Sequence, residues 1–200
     1  MRNVVFDLGK VLIDWYPVLA FEEYFADSDA ALAWMAHIDF AGWNLAQDGG
    51  RSFADGLAAA EAAHGEKARP LTSYIQNFPR TIRQPIAGTW AIVESLHRAG
   101  TPIYALTNWG AETWPAALAE YPALSLFRDI VVSGHEGMRK PHLPIYQLLL
   151  QRNGLHAADT VFIDDVQANV DGAIAAGMQA IRFVDAQDLR QRLAGFGLPV

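Results

Sequence analysis

Short apolar runs alternate with amphipathic helical patterns along most of the chain. The runs are rich in Val, Ile and Phe and are bounded by Gly, Pro or polar residues, which is typical of buried strands. They cover five ranges: Arg2 to Leu8, Pro102 to Thr107, Asp129 to Ser133, Thr160 to Ile163 and Gln179 to Val184. Several of the helical patterns between them end at a glycine, such as Gly100, Gly154 and Gly177. The alternation predicts an α/β fold with a doubly wound parallel (Rossmann-like) sheet of about five strands.

One long segment departs from this alternation. From Trp15 to about Arg83 the sequence is rich in Ala and aromatic residues, has helical spacing and shows little strand character. A turn signal at Asp48-Gly49-Gly50-Arg51 divides it. We therefore predict two domains, an α/β core formed by residues 1–14 and 85–200 and an inserted helical subdomain of residues 15–84.

Composition narrows the range of partners. Fifteen basic and 22 acidic residues give a net charge of -7, and no run of Lys or Arg could follow a nucleic-acid backbone. Cysteine is absent, which excludes disulfides, thiolate zinc sites and a cysteine nucleophile. No apolar run approaches the roughly 20 residues of a membrane helix, and the first residues enter a strand without a signal-peptide pattern. We expect a cytoplasmic monomer or homodimer that binds neither nucleic acid nor membrane.

Acidic and polar residues follow three of the predicted strands. Asp7 ends the first, Thr107-Asn108 end the second, and Asp164-Asp165 end the fourth. The carboxyl ends of parallel strands share one edge of the sheet, where ligands bind near the reversal in strand order. Adjacent carboxylates repel each other unless a positive charge lies between them, so the three acids favour a divalent cation, with Mg²⁺ the best fit to hard oxygen ligands. The alternative is that these acids only cap the helices that follow them.

Four segments occur in an order that resembles the haloacid dehalogenase-like hydrolase superfamily. They are VVFDLG (Val4 to Gly9), ALTN (Ala105 to Asn108), GMRKP (Gly137 to Pro141) and FIDDVQANVDGA (Phe162 to Ala173). The first and third are also similar to a phosphatase subgroup that includes sugar-1-phosphate phosphatases. The resemblance spans nearly the whole chain, and it implies that the inserted helical segment is a cap over the active site.

The resemblance implies a role for each polar residue at the strand ends. Asp7 would be the nucleophile that forms an aspartyl-phosphate, and Lys140 the cation that holds the phosphate oxygens. Thr107, Asn108 and Trp109 would bind substrate. The implied magnesium ligands are Asp7, the backbone carbonyl of Gly9, Asp164 and Asp165, with Asn169 orienting the acids. The implied activity is a Mg²⁺-dependent phosphatase acting on a small phosphorylated metabolite, with sugar phosphates among the candidates.

Gly9 departs from the pattern of most phosphatases in the superfamily, which carry a second Asp there as general acid and base. Such help contributes roughly 10²–10⁴-fold. Three outcomes are open: the enzyme acts on phosphates with good leaving groups, recruits a residue of the cap or a water, or is only weakly active. The cap residues near the central turn are the candidates for substrate contact: Trp43, Asn44, Gln47, Asp48 and Arg51. Asp14, His135 and His142 are weaker candidates for proton transfer.

Two other functions remain open from the sequence. A 2-haloacid dehalogenase also lacks the second Asp and uses the first as nucleophile, but it needs no metal, which would leave Asp164-Asp165 unexplained. A noncatalytic binding protein of the same fold would explain Gly9. The presence of Asp7 and Lys140 argues against a noncatalytic protein.

Overall fold

The computed structural model describes residues 2–200, and at its centre lies a sheet of five parallel strands. The strands are β1 (Asn3–Phe6), β2 (Ile103–Thr107), β3 (Ile130–Val132), β4 (Thr160–Asp164) and β5 (Gln179–Arg182). Their order across the sheet is β3-β2-β1-β4-β5, and every neighbouring pair is parallel. The predicted doubly wound α/β sheet is confirmed.

Helices cover both faces of the sheet. In the second half of the chain they are α5 (Thr89–Arg98), α6 (Trp114–Glu120), α7 (Ser133–Glu136), α8 (Leu143–Asn153), α9 (Gln167–Ala175) and α10 (Ala186–Gly195). Alternate residues of each strand point to opposite faces. Val4 and Phe6 therefore join one apolar cluster, and Val5 joins the other, which includes Ile145 and Leu149 of α8. Burial on both faces explains why the strands are continuously apolar in sequence.

The segment between β1 and α5 is helical throughout its regular elements. It contains α1 (Ser28–His37), α2 (Phe40–Asp48), α3 (Phe53–His64) and α4 (Tyr74–Thr81), with short 3₁₀ turns at Pro17–Ala20, Glu22–Tyr24 and Gly65–Ser73. We call residues 15–84 the helical segment. Its interior is an aromatic cluster, in which the ring of Tyr74 stacks on Phe21 and meets Phe40 and Trp43 edge-on.

The two ends of the helical segment meet at the core. The backbone N–H of Asp14 donates to the carbonyl of Gln84 at 2.8 Å, and the N–H of Ile86 donates to the carbonyl of Leu12 at 2.9 Å. The chain therefore leaves the core and returns to it at adjacent positions. The predicted turn in the middle is confirmed, since α2 ends at Asp48 and α3 begins at Phe53.

Two details differ from the sequence prediction. The sequence pattern predicts a helix over residues 111–121, but α6 is shorter and begins at Trp114, because residues 111–113 form a turn instead. The short helix α7 follows β3 directly and was not predicted. Within residues 2–200, no helix combines the length and apolar character needed to cross a membrane.

Candidate active site

The sheet reverses its strand order at β1, where β2 and β3 lie on one side and β4 and β5 on the other. This arrangement leaves a crevice at the carboxyl edge of the sheet. Asp7 directly follows β1 at that edge, and its side chain is only 10% exposed. Its Oδ1 accepts a hydrogen bond from the backbone N–H of Leu8 at 2.7 Å, which fixes the orientation of the carboxylate.

A buried lysine joins the ends of two neighbouring strands. Nζ of Lys140 lies 2.9 Å from Oδ1 of Asp7 and 2.6 Å from Oδ2 of Asp164. Burial lowers the pKa of Lys140, but the two carboxylates outweigh this effect and raise it, so the side chain stays cationic. Asn108 holds the lysine backbone from both sides: its Nδ2 donates to the carbonyl of Lys140 at 3.1 Å, and its Oδ1 accepts from the N–H at 2.9 Å. The fold thus brings together four of the predicted site residues.

The two adjacent acids after β4 have different surroundings. Both oxygens of the buried Asp164 accept hydrogen bonds: Oδ1 from the backbone N–H of Val166 at 2.8 Å, Oδ2 from Lys140, and each from Nδ2 of Asn169 at 3.0 Å. Within residues 2–200 no comparable set of donors surrounds the half-buried carboxylate of Asp165. Asn169 therefore orients Asp164, and Asp165 is the less engaged of the two acids.

The acids at this edge carry more charge than Lys140 neutralises. One carboxylate oxygen from each of Asp7, Asp164 and Asp165 lies within 4.8 Å of the others. Burial raises the pKa of Asp7 to about 8, although Lys140 lowers it, and Asp164 raises it further. Burial and the charge of Asp164 also raise the pKa of Asp165. The site thus holds three carboxyl groups, which are hard oxygen donors, and one ammonium group. This composition fits a divalent cation such as Mg²⁺.

Two buried polar atoms near the end of β2 have no hydrogen-bond partner among residues 2–200. They are Oγ1 of Thr107 and Nε1 of Trp109. Such groups are rare in folded proteins because an unpaired buried donor or acceptor is costly. Both belong to residues predicted to bind substrate, and neither hydrogen-bonding group is used within the described part of the chain. Trp109 also packs edge-on against Phe78 of α4 and Trp114 of α6, so it joins the helical segment to the core.

A cavity of about 70 Å³ lies between the strand ends and the helical segment. Its lining consists of Gly9, Trp15, Asn44, Asp48, Tyr74, Phe78, Asn108, Trp109, Gly110 and Thr113. Most of these side chains are aromatic or small. Asn44 and Asp48 are the residues of α2 that reach it.

The other three candidates near the central turn form a network among themselves. Nε1 of Trp43 donates to the carbonyl of Gly56 at 2.8 Å, and Nε2 of Gln47 donates to the carbonyl of Trp43 at 2.7 Å. Nε of Arg51 donates to Oε1 of Gln47 at 2.6 Å. These contacts join α2 to α3. Sequence reasoning treated the five candidates alike and did not separate the two that line the cavity from the three that hold these helices together.

Packing does not require glycine at position 9. A Cβ placed on Gly9 would meet no atom within 4 Å, and the backbone there has no positive φ. The space beside the strand end is therefore open at this position.

The other residues predicted to assist proton transfer do not line this cavity. Oδ1 of Asp14 lies 2.5 Å from Nζ of Lys10 and accepts from the backbone N–H of Trp15 at 3.0 Å. Burial raises the pKa of Asp14, but hydrogen bonds from Lys10 and Tyr16 outweigh this and lower it, so the group is ionised. The two histidines that flank the lysine segment are exposed, and neither lines the cavity.

Comparison with known proteins identifies the family. The sequence profile of the haloacid dehalogenase-like hydrolases matches residues 4–183. The chain belongs to this family. The predicted superfamily and the predicted hydrolase fold are therefore confirmed.

Two relatives align with nearly the whole chain. The chain is 27% identical over 200 residues to the sesquiterpene phosphatase astK of Aspergillus oryzae, with 95% of each protein covered. It is 26% identical over 211 residues to the drimenol cyclase drtB of Aspergillus calidoustus, of which it spans 37%.

Solved structures share the fold at low sequence identity. A family enzyme from Bacteroides thetaiotaomicron, solved in complex with magnesium and inorganic phosphate, matches with a TM-score of 0.74 at 18% identity, covering 96% of this chain and 98% of that one. The L-2-haloacid dehalogenase of Xanthobacter autotrophicus matches with a TM-score of 0.65 at 18% identity, covering 98% and 83%.

Proposed function

We propose that the protein is a Mg²⁺-dependent phosphatase that hydrolyses a small phosphorylated metabolite through an aspartyl-phosphate on Asp7. The observation that carries the proposal is the buried group of Asp7, Lys140 and Asp164, with the less engaged carboxylate of Asp165 beside it. This group combines a nucleophile, a fixed positive charge and an acidic metal-binding site at the carboxyl edge of the sheet. The similarity to a phosphatase supports it.

Each side chain of the site has a definite task in this reaction. A carboxylate oxygen of Asp7 attacks phosphorus while the ester P–O bond breaks, and water then attacks the same phosphorus and releases phosphate and the free carboxylate. Lys140 neutralises charge on the phosphoryl oxygens, and Oγ1 of Thr107 donates to one of them. Asp7, Asp165 and the carbonyl of Gly9 would hold Mg²⁺, with Asp164 beside them, and the bound ion supplies further positive charge to those oxygens.

We further propose that residues 15–84 act as a cap that receives the leaving group. The cavity places Trp15, Tyr74 and Phe78 of this segment opposite the strand ends. Aromatic walls suit either the apolar face of a sugar ring or a hydrocarbon, and Asn44 could bind a hydroxyl group. Similarity to a sesquiterpene phosphatase favours a hydrocarbon. A panel of sugar phosphates and isoprenyl phosphates, compared by kcat/KM, decides between the two.

Metal dependence tests the proposal directly. With p-nitrophenyl phosphate, turnover is expected with Mg²⁺ and expected to vanish after chelation, because the excess of acidic over basic charge then repels the phosphate. Restoring Mg²⁺ restores turnover, and Asp7→Asn shows none under either condition. Turnover that survives chelation, or that survives in Asp7→Asn, contradicts the proposal.

The same preparation separates the alternative functions. Release of chloride from a 2-haloacid without metal would establish a dehalogenase instead. Absence of both reactions, with retained binding of phosphorylated compounds, would establish the noncatalytic binding protein.

A second prediction rests on the unpaired hydroxyl of Thr107. Thr107→Val is expected to lower kcat/KM for phosphate esters by roughly 10–100-fold, since a hydrogen bond to a charged group contributes about 1.5–3 kcal/mol. The free energy of unfolding should stay the same or rise, because the hydroxyl has no partner in the protein.

Thr160→Val provides the matched control. Oγ1 of Thr160, at the opposite end of β4, donates to the carbonyl of His156 at 2.9 Å. Its removal should cost about 1 kcal/mol of stability and leave kcat/KM unchanged. If Thr107→Val loses stability as the control does, or keeps full activity, Thr107 has no role in binding phosphate.

A further inference from the structure

We propose that Asp48 of the helical segment supplies the acid that position 9 lacks, donating a proton to the leaving oxygen and later accepting one from the attacking water. The inference rests on the proposed phosphatase function. It assigns to a residue of α2 a role that most relatives of this kind place two residues after the nucleophile.

Location singles out Asp48. Among residues 2–200, only two titratable side chains line the cavity shared with Gly9, and these are Asp48 and Tyr74. The hydroxyl of Tyr74 donates to Oδ1 of Asn44 at 3.1 Å, and burial, together with the charge of Asp48, raises its pKa well above the usual value. Tyr74 is therefore too weak an acid to release its proton, and Asp48 remains.

Asp48 also lies at the exit of the cavity. Asp48, Asn44 and Trp15 line both this cavity and a larger groove of about 610 Å³ formed by residues of the helical segment, whose walls include apolar residues such as Phe40 and Met35. A leaving group that extends from the strand ends into this groove passes the carboxyl group of Asp48.

The end of α2 is held in place over the lysine segment. A Cβ on Gly50, whose φ is +96°, would lie only 3.0 Å from Cα of Gly137, so the turn after Asp48 packs directly against the loop that carries Lys140. Nδ2 of Asn44 donates to Oδ2 of Asp48 at 3.2 Å. These contacts fix the carboxyl group relative to the core although it belongs to a different part of the chain.

The surroundings of Asp48 suit a group that both donates and accepts protons. Burial raises its pKa to about 7, while the charges of Arg139 and Lys140 and the backbone N–H of Gly110 lower it. A general acid and base is most effective when its pKa is near the working pH. By contrast, Asp14 is held ionised by Lys10.

The proton balance closes over one turnover. As Asp7 bonds to phosphorus and the ester P–O bond breaks, the leaving oxygen takes the proton of Asp48 and departs as an alcohol. Water then attacks phosphorus, its proton passes to the Asp48 carboxylate, and the bond from phosphorus to Asp7 breaks. Phosphate leaves, and both side chains return to their starting states.

The test compares the first turnover of two esters in the Asp48→Asn variant with Mg²⁺ present. For a phosphate of a simple primary alcohol, which leaves poorly without a proton, the first-turnover rate should fall by roughly 10²–10⁴-fold. For p-nitrophenyl phosphate, whose leaving group needs no proton, it should change by less than tenfold. Because the water step also loses its base, nitrophenolate should appear as a stoichiometric burst followed by slow turnover.

Controls make the result specific to Asp48. Asp27→Asn changes an exposed acid that caps the start of α1 and lines neither the cavity nor the groove, and Asn also caps. Asp14→Asn removes the rival acid. Neither should distinguish the two esters.

Equal losses on both esters in Asp48→Asn, no loss on either, or selective loss in Asp14→Asn would overturn the inference. The wild type gives a measurement that needs no variant: across a series of esters its first-turnover rate should depend only weakly on leaving-group acidity, and a steep dependence would show that no acid operates. If the wild type hydrolyses none of these esters with Mg²⁺, the proposed function itself fails. If the wild type is a phosphatase but Asp48→Asn shows no selective loss on the alkyl ester, only the role of Asp48 is refuted.

Discussion

Replacing Lys140 with methionine is expected to lower the free energy of unfolding at pH 7 by about 3–5 kcal/mol, the usual cost of removing one partner from a buried ion pair. Lys140 lies within 3 Å of the carboxyl groups of Asp7 and Asp164, and the variant leaves Asp164 buried without its counter-charge. Methionine keeps an unbranched chain of similar length next to the ring of Phe162. The loss of charge, rather than a cavity, therefore accounts for the effect, and phosphatase activity should disappear with it.

The loss should grow with pH. Burial already raises the pKa of Asp7 to about 8 despite Lys140, and removing the lysine raises it further. A carboxyl group whose folded pKa exceeds its unfolded value stabilises the fold in its protonated form. That contribution is present below about pH 4 and is lost as the pH rises towards 8. The deficit of the variant should thus be smaller at pH 6 than at pH 9, because above pH 8 Asp7 ionises next to the charged Lys140 in the wild type, whereas in the variant it stays protonated and the loss of stability continues.

Urea unfolding at pH 6 and pH 9, without divalent cations, measures this deficit. Lys10→Met is the matched control, since Lys10 also contacts a carboxylate, Asp14, but its side chain is 42% exposed. Exposed ion pairs contribute about 0.2–1 kcal/mol. A deficit in Lys140→Met no larger than that of the control, or one that grows towards acid pH, would refute the account of the buried group.

The strands could be predicted from sequence because each carries its own signal. β1 and β4 are continuous apolar runs that end in acids, and burial on both faces of a parallel sheet produces that pattern whatever surrounds it. The short helix α7 carries no such signal. Its Gly134 fits against the backbone of the loop after β2, where a Cβ would lie 2.4 Å from N of Ala111, so tertiary contact decides the conformation there.

The site was only partly predictable for the same reason. The meeting of Asp7, Lys140 and Asp164 follows from strand ends that share one edge, and the resemblance of the motifs located Lys140. The sequence did not separate Asp164 from Asp165, because their difference lies in donors from distant residues such as Asn169. Nor could it place Asp48 beside Gly9, a proximity that depends on how the helical segment folds back on the core.

Asp7→Asn is expected to abolish turnover, by roughly 10³-fold or more, and yet to stabilise the metal-free protein at pH 8. The folded pKa of Asp7 is raised to about 8 from an ordinary 3.8. Its stabilising contribution is therefore present below about pH 4 and is lost between pH 4 and pH 8, whereas asparagine does not titrate. The gain of the variant over the wild type should appear over that same interval.

Magnesium should reverse the order of stability. An ion that binds only the folded protein stabilises it by about 2.7 kcal/mol at a hundred times its Kd, and the wild type, with its full set of carboxylates, should gain more than the Asn variant. Thermal unfolding at pH 8 with and without Mg²⁺ measures both effects, and Asp27→Asn, an exposed helix-capping acid, should show neither. If Asp7→Asn is less stable than the wild type at pH 8 without Mg²⁺, then Lys140 alone compensates the negative charge of the ionised Asp7. In that case the strand edge has no electrostatic need of a cation, and the attraction of Mg²⁺ would have to come from the substrate phosphate.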